Sequence, residues 1–417
     1  MTGRSSRGFT LVELMVAITG GLFLSIIVFV LARDGSRFYQ REMRVANATL
    51  AGIVGFERLR ADITRAGFLA SPNVRIDPSL CGAPATEPGW PAELAHLASL
   101  RLAPGGSPEN ATLKANGRSP DSIVLAGSFA SADQFPIRTV IESGEGYDVY
   151  LQRSSGAMAR LGIFEEGADD AALLGSVFRE GRALRLVDKS GMAQFATITG
   201  VTGGAQPIVT LSKEPKLRFR AGGGTLCGLK GYETGALANV VNFVRYDVRN
   251  LATNAAFKDT IYAATGLATD AERTELARVE LNTAGEEIAG TEELVAEYAV
   301  DLAFGITVAN TLDNATGTIT GLKTIAADDD DDDILGWAGD TAGGAIPPNQ
   351  GPQRVKSVRV RLSVRSREGD READIAPGPG VAAGFYRIGL GADGTAPFAR
   401  VRTMQADIAL RNQMGAI

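Results

Sequence analysis

Histidine is nearly missing from this chain, cysteine is scarce, and no proline occurs before Pro72. The one histidine, His96, lies in Leu94-Ala95-His96-Leu97 with no metal partner in its local sequence, so it reads as structural. The two cysteines, Cys81 and Cys227, have neither a second cysteine nor a histidine nearby, which argues against a zinc site. No HExxH, G-x-S-x-G or P-loop pattern is present. Gly389-Leu390-Gly391-Ala392-Asp393-Gly394 matches G-x-G-x-x-G, but it lacks the preceding strand, following helix and acidic residue of a nucleotide site, and reads as a turn. Positive charge is not in excess: 42 Lys and Arg face 48 Asp and Glu, and the surplus of acid equals the run Asp328 to Asp333. A nucleic-acid groove is therefore not indicated. Aromatics make up 6% and glycines number 50, a composition of turns and short strands.

What the chain does have is an apolar start. Phe9 to Ala32 is 24 residues with one ionisable side chain, Glu13. As a helix it would measure roughly 36 Å against a hydrocarbon core of about 30 Å, enough to span. A carboxylate in such a segment costs about 2.5–3.5 kcal/mol on insertion scales and marks function by default. Thr10 and Glu13 also have the spacing of a capping box, so the two readings of Glu13 coexist. A secretory signal cleaved after Val30-Leu31-Ala32 is the competing interpretation, but the apolar run exceeds the usual h-region. Arg33, Arg37, Arg41 and Arg44 beyond the span outnumber Arg4 and Arg7 before it, so charge asymmetry does not settle orientation.

Gly8-Phe9-Thr10-Leu11-Val12-Glu13-Leu14-Met15-Val16-Ala17 resembles the processing site of type IV prepilins and type II secretion pseudopilins. The resemblance implies cleavage between Gly8 and Phe9 by a prepilin peptidase, methylation of the new amino terminus on Phe9, and pairing of Glu13 with that amine during assembly. Opposite charges in a low-dielectric bundle attract strongly, and pairing offsets much of the cost of burying each. Many major pilins carry a proline where this chain has Val30. Four further phrases lie in the order found in PilW-type minor pilins: Leu59 to Phe68, Leu294 to Tyr298 as a short helical lead into a strand, Val358 to Ser366, and the ending Ala409-Leu410-Arg411-Asn412. The resemblance implies a non-enzymatic subunit of a type IV pilus with no cofactor. It would be held in the inner membrane with its head in the periplasm, then assembled with the major pilin and other minor pilins on an inner-membrane platform. A type II secretion or competence pseudopilin, and a membrane-tethered tip adhesin, are the alternatives. In an oxidising compartment Cys81 and Cys227 can pair, closing a loop worth about 5 kcal/mol by chain entropy; two separate buried thiols remain the alternative.

The fold expected is α+β: a long N-terminal helix, transmembrane then amphipathic, packed on an antiparallel β-sheet, with an additional β-rich module. Residues 1–8 form the leader, 9–32 the membrane segment and 33–66 the amphipathic segment. Tyr39, Met43, Ala46, Leu50 and Ile53 define the apolar face of that second half. Gly20-Gly21 is a weak point and Gly67 a C-cap. Residues 67–121 read as an irregular connection with one short helix near Ala92 to Leu100, and 122–221 as a module of antiparallel strands. Residues 222–417 read as a pilin-type sheet that includes Val240 to Val248 and Leu276 to Leu281. Val358 to Val364 alternates four apolar side chains with two arginines and a serine, and its apolar face suits the helix. In the acidic loop 328–333, Asp329, Asp331 and Asp333 with Asp340 occupy calcium-loop positions, but Ile334 sits where glycine is required; a solvated, self-repelling loop is the simpler reading.

Overall fold

The computed structural model describes residues 10–84, 88–144, 146–163, 170–219, 227–229, 235–252, 254–258, 273–312, 319–327, 331–339, 350–367, 369, 384–388 and 398–413. One helix, α1 (Leu11–Arg65), carries the N-terminal seventh of the chain without interruption. Gly20 and Gly21 lie inside it, and a β-carbon at either would meet nothing within 4 Å, so the expected weak point is helical and open all round. The helix ends at Ala66, after which Gly67 takes φ +77° and donates its N–H to Ala126 O at 2.8 Å. A left-handed residue there turns the chain off the helix axis with no Cβ penalty.

Among the described residues fifteen strands follow. The first ten, β1 (Leu100–Ala103), β2 (Ser122–Gly127), β3 (Phe135–Glu142), β4 (Gly146–Leu151), β5 (Ala183–Val187), β6 (Ala193–Thr202), β7 (Ile208–Ser212), β8 (Leu237–Arg249), β9 (Glu275–Leu281) and β10 (Glu293–Ala296), form one antiparallel sheet. The other five, β11 (Ala299–Leu312), β12 (Ile319–Ile325), β13 (Val355–Arg365), β14 (Phe385–Arg387) and β15 (Phe398–Ala409), form a second with order β12-β11-β13-β15-β14. In the first sheet, β3, β4, β7, β6 and β5 run from one edge of β8 round to the other, because β8 pairs with both β3 and β5. The ring closes on itself at Phe135↔Ala238 and Pro136↔Leu237. Its interior is filled by alternate side chains such as Phe135, Tyr147, Val149, Leu186, Ile198 and Leu211.

Three sequence expectations change. Val240 to Val248 and Leu276 to Leu281 lie in β8 and β9 of the first sheet, not in the second, so strand pairing crosses the boundary expected at residue 222. The stretch 67–121 contains β1, which pairs with β2 from Leu100↔Leu125 to Ala103↔Ser122, so that connection is partly sheet. Leu294 to Ala296 is strand β10 and not a helical lead: the open edge of β9 offers backbone partners that outweigh a local helix propensity. The turn after β10 carries Tyr298 at φ +57° and hands the chain from the first sheet to the second. The guanidiniums of Arg273 and Arg365 lie over its ring at 4.3 and 4.9 Å.

The C-terminal part of α1 docks where the two sheets meet. Phe56, Leu59, Ile63 and Ala66 share one buried cluster with Ile123, Val244 and Val248 of the first sheet and with Val358, Val360, Leu362 and Val364 of the second. The helix approaches closely: a β-carbon at Gly55 would lie 2.9 Å from Val295 O, and one at Gly52 would run into Met404. Beside these glycines a buried carboxylate, Asp62, accepts from Tyr246 Oη and from Arg278 Nε, each at 2.8 Å. Arg278 continues to Glu293 Oε1 at 3.0 Å, and Glu293 Oε2 receives Arg58 at 3.3 Å. Burial disfavours a charged Arg278, yet Asp62 and its neighbours hold its pKa above the usual arginine value. Burial and then Asp62 push Tyr246 up, so its phenol stays protonated and donates.

Cys81 and Cys227 are disulfide-bonded, with Cα atoms 5.5 Å apart. Next to Cys81, Leu80 forms an isolated pairing with Ala193 of β6, which fastens the segment after α1 to the ring of strands.

Two outcomes follow for the detergent-solubilised chain. Asp62→Ala strands a buried guanidinium and lowers stability by about 3–5 kcal/mol, while Asp62→Asn keeps an acceptor for Tyr246 and loses less; thermal unfolding by circular dichroism measures both. Replacing both cysteines by serine lowers stability by about 5 kcal/mol, read from urea unfolding with and without reductant.

Candidate functional site

Helix α1 is the element whose chemistry is not accounted for by the head. Leu11–Tyr39 has a mean hydropathy of 2.7 in its most apolar window, and none of that window is buried against the rest of the chain. Leu11, Phe23, Leu24, Phe29 and Leu31 are all more than 65% exposed. A helix apolar on every side is stable in lipid or inside a bundle and not as a free rod in water. This segment is long and apolar enough to cross a membrane once.

Its first turn is built by a reciprocal cap. Thr10 has extended backbone and its hydroxyl accepts from Glu13 N at 3.3 Å, while Glu13 Oε2 accepts from Thr10 N at 3.0 Å and from Thr10 Oγ1 at 2.9 Å. Two N–H groups that a helix start leaves orphaned are thus satisfied in a segment that offers no water. Both bonds to the carboxylate use Oε2, and among the described residues Oε1 accepts none. A carboxylate that caps the helix with one oxygen retains the other for a cation from outside the turn. Gly8 and Phe9 lie outside the described residues.

The membrane-type surface does not stop at the head. Tyr39, Met43, Leu50 and Ile53, the apolar face expected to pack on the sheet, are 66%, 44%, 64% and 47% exposed, and Ala46 is exposed as well. The docked face is Gly52, Gly55, Phe56, Leu59, Asp62, Ile63 and Ala66. At about 100° per residue the two faces lie roughly 160° apart. Apolar counting finds the wrong face because the docked one relies on two glycines and an aspartate, which read as polar or neutral. The expected partner on the sheet is correct: Val358, Val360, Leu362 and Val364 are fully buried, and Val364 faces Gly52. The phrases that pointed to a family converge here. Arg65 donates to Ser128 O at 2.9 Å, Val295 and Ala296 abut Gly55, and Asn412 Nδ2 donates to Ala66 O at 3.0 Å, closing the C-terminal end of the helix.

The remaining candidates are dispersed. His96 Nδ1 lies 2.8 Å from Ala92 O within its own turn. The acidic run is not wholly a loop: Asp331–Ala338 is a helix, buried through Ile334, Trp337 and Ala338, because the apolar residues that follow the aspartates give it a face to dock. Asp333 is exposed and pairs with Lys323 at 2.7 Å. Asp329 and Asp340 lie outside the described residues, as do residues 389–394. Among the described residues no group of three His, Cys, Asp or Glu side chains is arranged to hold a metal ion.

Comparison with known proteins adds one finding at the same end of the molecule. No curated protein and no solved structure matches the chain at a significant level. Residues 3–19, which enclose Gly8, Phe9 and the Thr10–Glu13 cap, match the prokaryotic N-terminal methylation motif, so the chain begins in the manner of a type IV pilin-like or pseudopilin protein.

Proposed function

We propose that this chain is a minor pilin of a type IV pilus, similar to the PilW type. It is a structural subunit that joins a priming or tip complex after a prepilin peptidase cuts between Gly8 and Phe9. The observation that carries the reading is the division of α1: a methylation motif and a freely exposed apolar half precede a half that is fastened to the head by one face only. Such a helix is stored in the membrane as a single span and leaves it by exchanging lipid for the equivalent helices of other subunits. The exposed stripe from Tyr39 to Ile53 continues the apolar surface onto the head, where the major pilin and other minor pilins would meet it. The disulfide supports a head on the oxidising side of the inner membrane, with the leader in the cytoplasm. In this reading the chain is no enzyme and takes no cofactor; the peptidase and the assembly platform act on it.

Glu13 supplies the assembly chemistry. Oε2 stays on the cap while Oε1 receives the amine of the residue freed at position 9, so that neither charge is stranded when the helix enters a dry bundle. Three chains separate these functions. Gly8→Val leaves a product eight residues longer and unmethylated by intact-mass spectrometry, and normal processing of this variant would refute the proposal. Glu13→Ala is cleaved after Gly8 as in the wild type but is missing from sheared filaments. Thr10→Ala, which removes only the cap hydroxyl at a cost of about 0.5–2 kcal/mol, still enters them.

A further inference from the structure

Beyond the apolar run, α1 changes character before it reaches the head. Arg33, Arg37, Arg41 and Arg44 follow one another at spacings of four, four and three. At about 100° per residue these positions fall within an arc of roughly 80°, and the exposed apolar stripe from Tyr39 to Ile53 is centred about 160° away round the helix. Where the two overlap, the helix is cationic on one side and apolar on the other. The acids nearby do not cancel this. Asp34 pairs with Arg33 at 3.3 Å, and Glu42 is placed about 100° beyond the edge of the arc. Between Ala32 and Glu57 the helix carries four arginines against these two acids, a net charge of +2 that holds whichever of them pair.

Depth decides which partner this charge meets. Leu11–Tyr39, roughly 44 Å long as a helix, matches a whole bilayer of about 40–45 Å, a core of about 30 Å with a headgroup layer on each side. With the apolar run ending at Ala32, Arg33 and Arg37 stand within about 8 Å of that end, and Arg41 and Arg44 at about 14 and 18 Å. Lipid phosphates fill the first interval, and the second lies within about one Debye length of them, some 8–10 Å. Every Cα–Cβ bond of an α-helix tilts toward its N-terminus, which in α1 is the membrane end, so Arg33 and Arg37 start out toward the lipid. Phe38 and Tyr39, both strongly exposed, occupy the same depth, where aromatic rings concentrate at a membrane surface. A guanidinium at that level meets a phosphate with the fork geometry that suits it.

We propose that this stripe binds the headgroups of anionic phospholipids in the leaflet nearest the head. It rests on Leu11–Tyr39 being a span and not on assembly into a filament. The test places the full chain in vesicles of seven parts phosphatidylcholine to three of phosphatidylglycerol, and reads by electron spin resonance how much of each spin-labelled lipid the protein immobilises. Phosphatidylglycerol is held about fivefold over phosphatidylcholine at about 0.05 M salt, and the two about equally at about 1 M, where the Debye length is about 3 Å. Replacing three arginines together, Arg37→Gln, Arg41→Gln and Arg44→Gln, removes the preference, whereas Glu42→Gln strengthens it; both variants float with the vesicles as the wild type does. Equal association of the two lipids at low salt, a preference kept by the triple variant, or its loss to inorganic phosphate at matched ionic strength would each overturn the proposal. A wild-type chain that does not float with the vesicles refutes the span itself, and the lipid site with it.

Discussion

One helix must satisfy two surroundings. At about 1.5 Å per residue, the 55 residues of α1 make a rod of roughly 80 Å, of which the first half is apolar on every side and the second half is apolar on two opposed faces. The head buries only one of those faces and leaves the other exposed. The docking of the head on α1 is therefore narrow. It has to be strong for its width, and the close approach at the glycines together with the buried charge network meets that demand.

Gly52 and Gly55 let the helix backbone reach β10 and β15, where a larger residue at position 55 would strike a carbonyl oxygen. Close approach maximises dispersion contact but leaves the helix free to slide or rotate along a smooth apolar seam. Asp62 removes that freedom. Its carboxylate meets Tyr246 of β8 and Arg278 of β9 at once, a geometry satisfied at one register and one rotation. A buried ion pair contributes little net stability compared with a packed apolar substitute, whereas breaking one side of it is costly, so its effect is specificity of placement. At the far end, Gly67 turns the chain while Asn412, from the last described residues, closes the helix carbonyls. Both ends of the head sequence thus meet at the base of the helix.

Much of this was legible in the sequence, in proportion to how local the signal is. The length of α1, its cap at Thr10 and Glu13, its end at Gly67 and the two-faced alternation of Val358 to Val364 depend on neighbours a few residues apart, and each is found where expected. Sheet membership is not local. Nothing within Val240 to Val248 says that its partners are β2 and β9, and not the strands near residue 360; that depends on which edges are open once the chain has collapsed. The docked face of α1 was missed for a related reason: close packing selects small residues, and an aspartate looks solvated until its tyrosine and arginine are placed beside it from residues 184 and 216 positions away.

The extra strands of the head are not a separate bead on the helix, and β8 is the reason. Its first residues close the ring, with Leu237 and Ala238 between β3 and β5 and the β5 pairing running on to Val241, while Phe243 to Tyr246 lie between β2 and β9 and carry Tyr246 to Asp62. The neighbour on one edge changes between residues 238 and 242, and an extended backbone there would lose hydrogen bonds in a dry interior. The loop from β2 to β3 supplies them. Ser128 Oγ donates to Val240 O at 2.7 Å, and the buried Asn242 accepts from Phe129 and Ala130 N–H groups while donating to Glu280. Unsatisfied groups at this changeover would cost about 1–3 kcal/mol each, so the polar side chains stabilise the continuation of a single strand through two architectures. With β8 unbroken, displacement of the ring bends a strand whose other end is bonded to the helix. The ring of strands is therefore joined to α1 through one continuous strand and the contact of Tyr246 with Asp62.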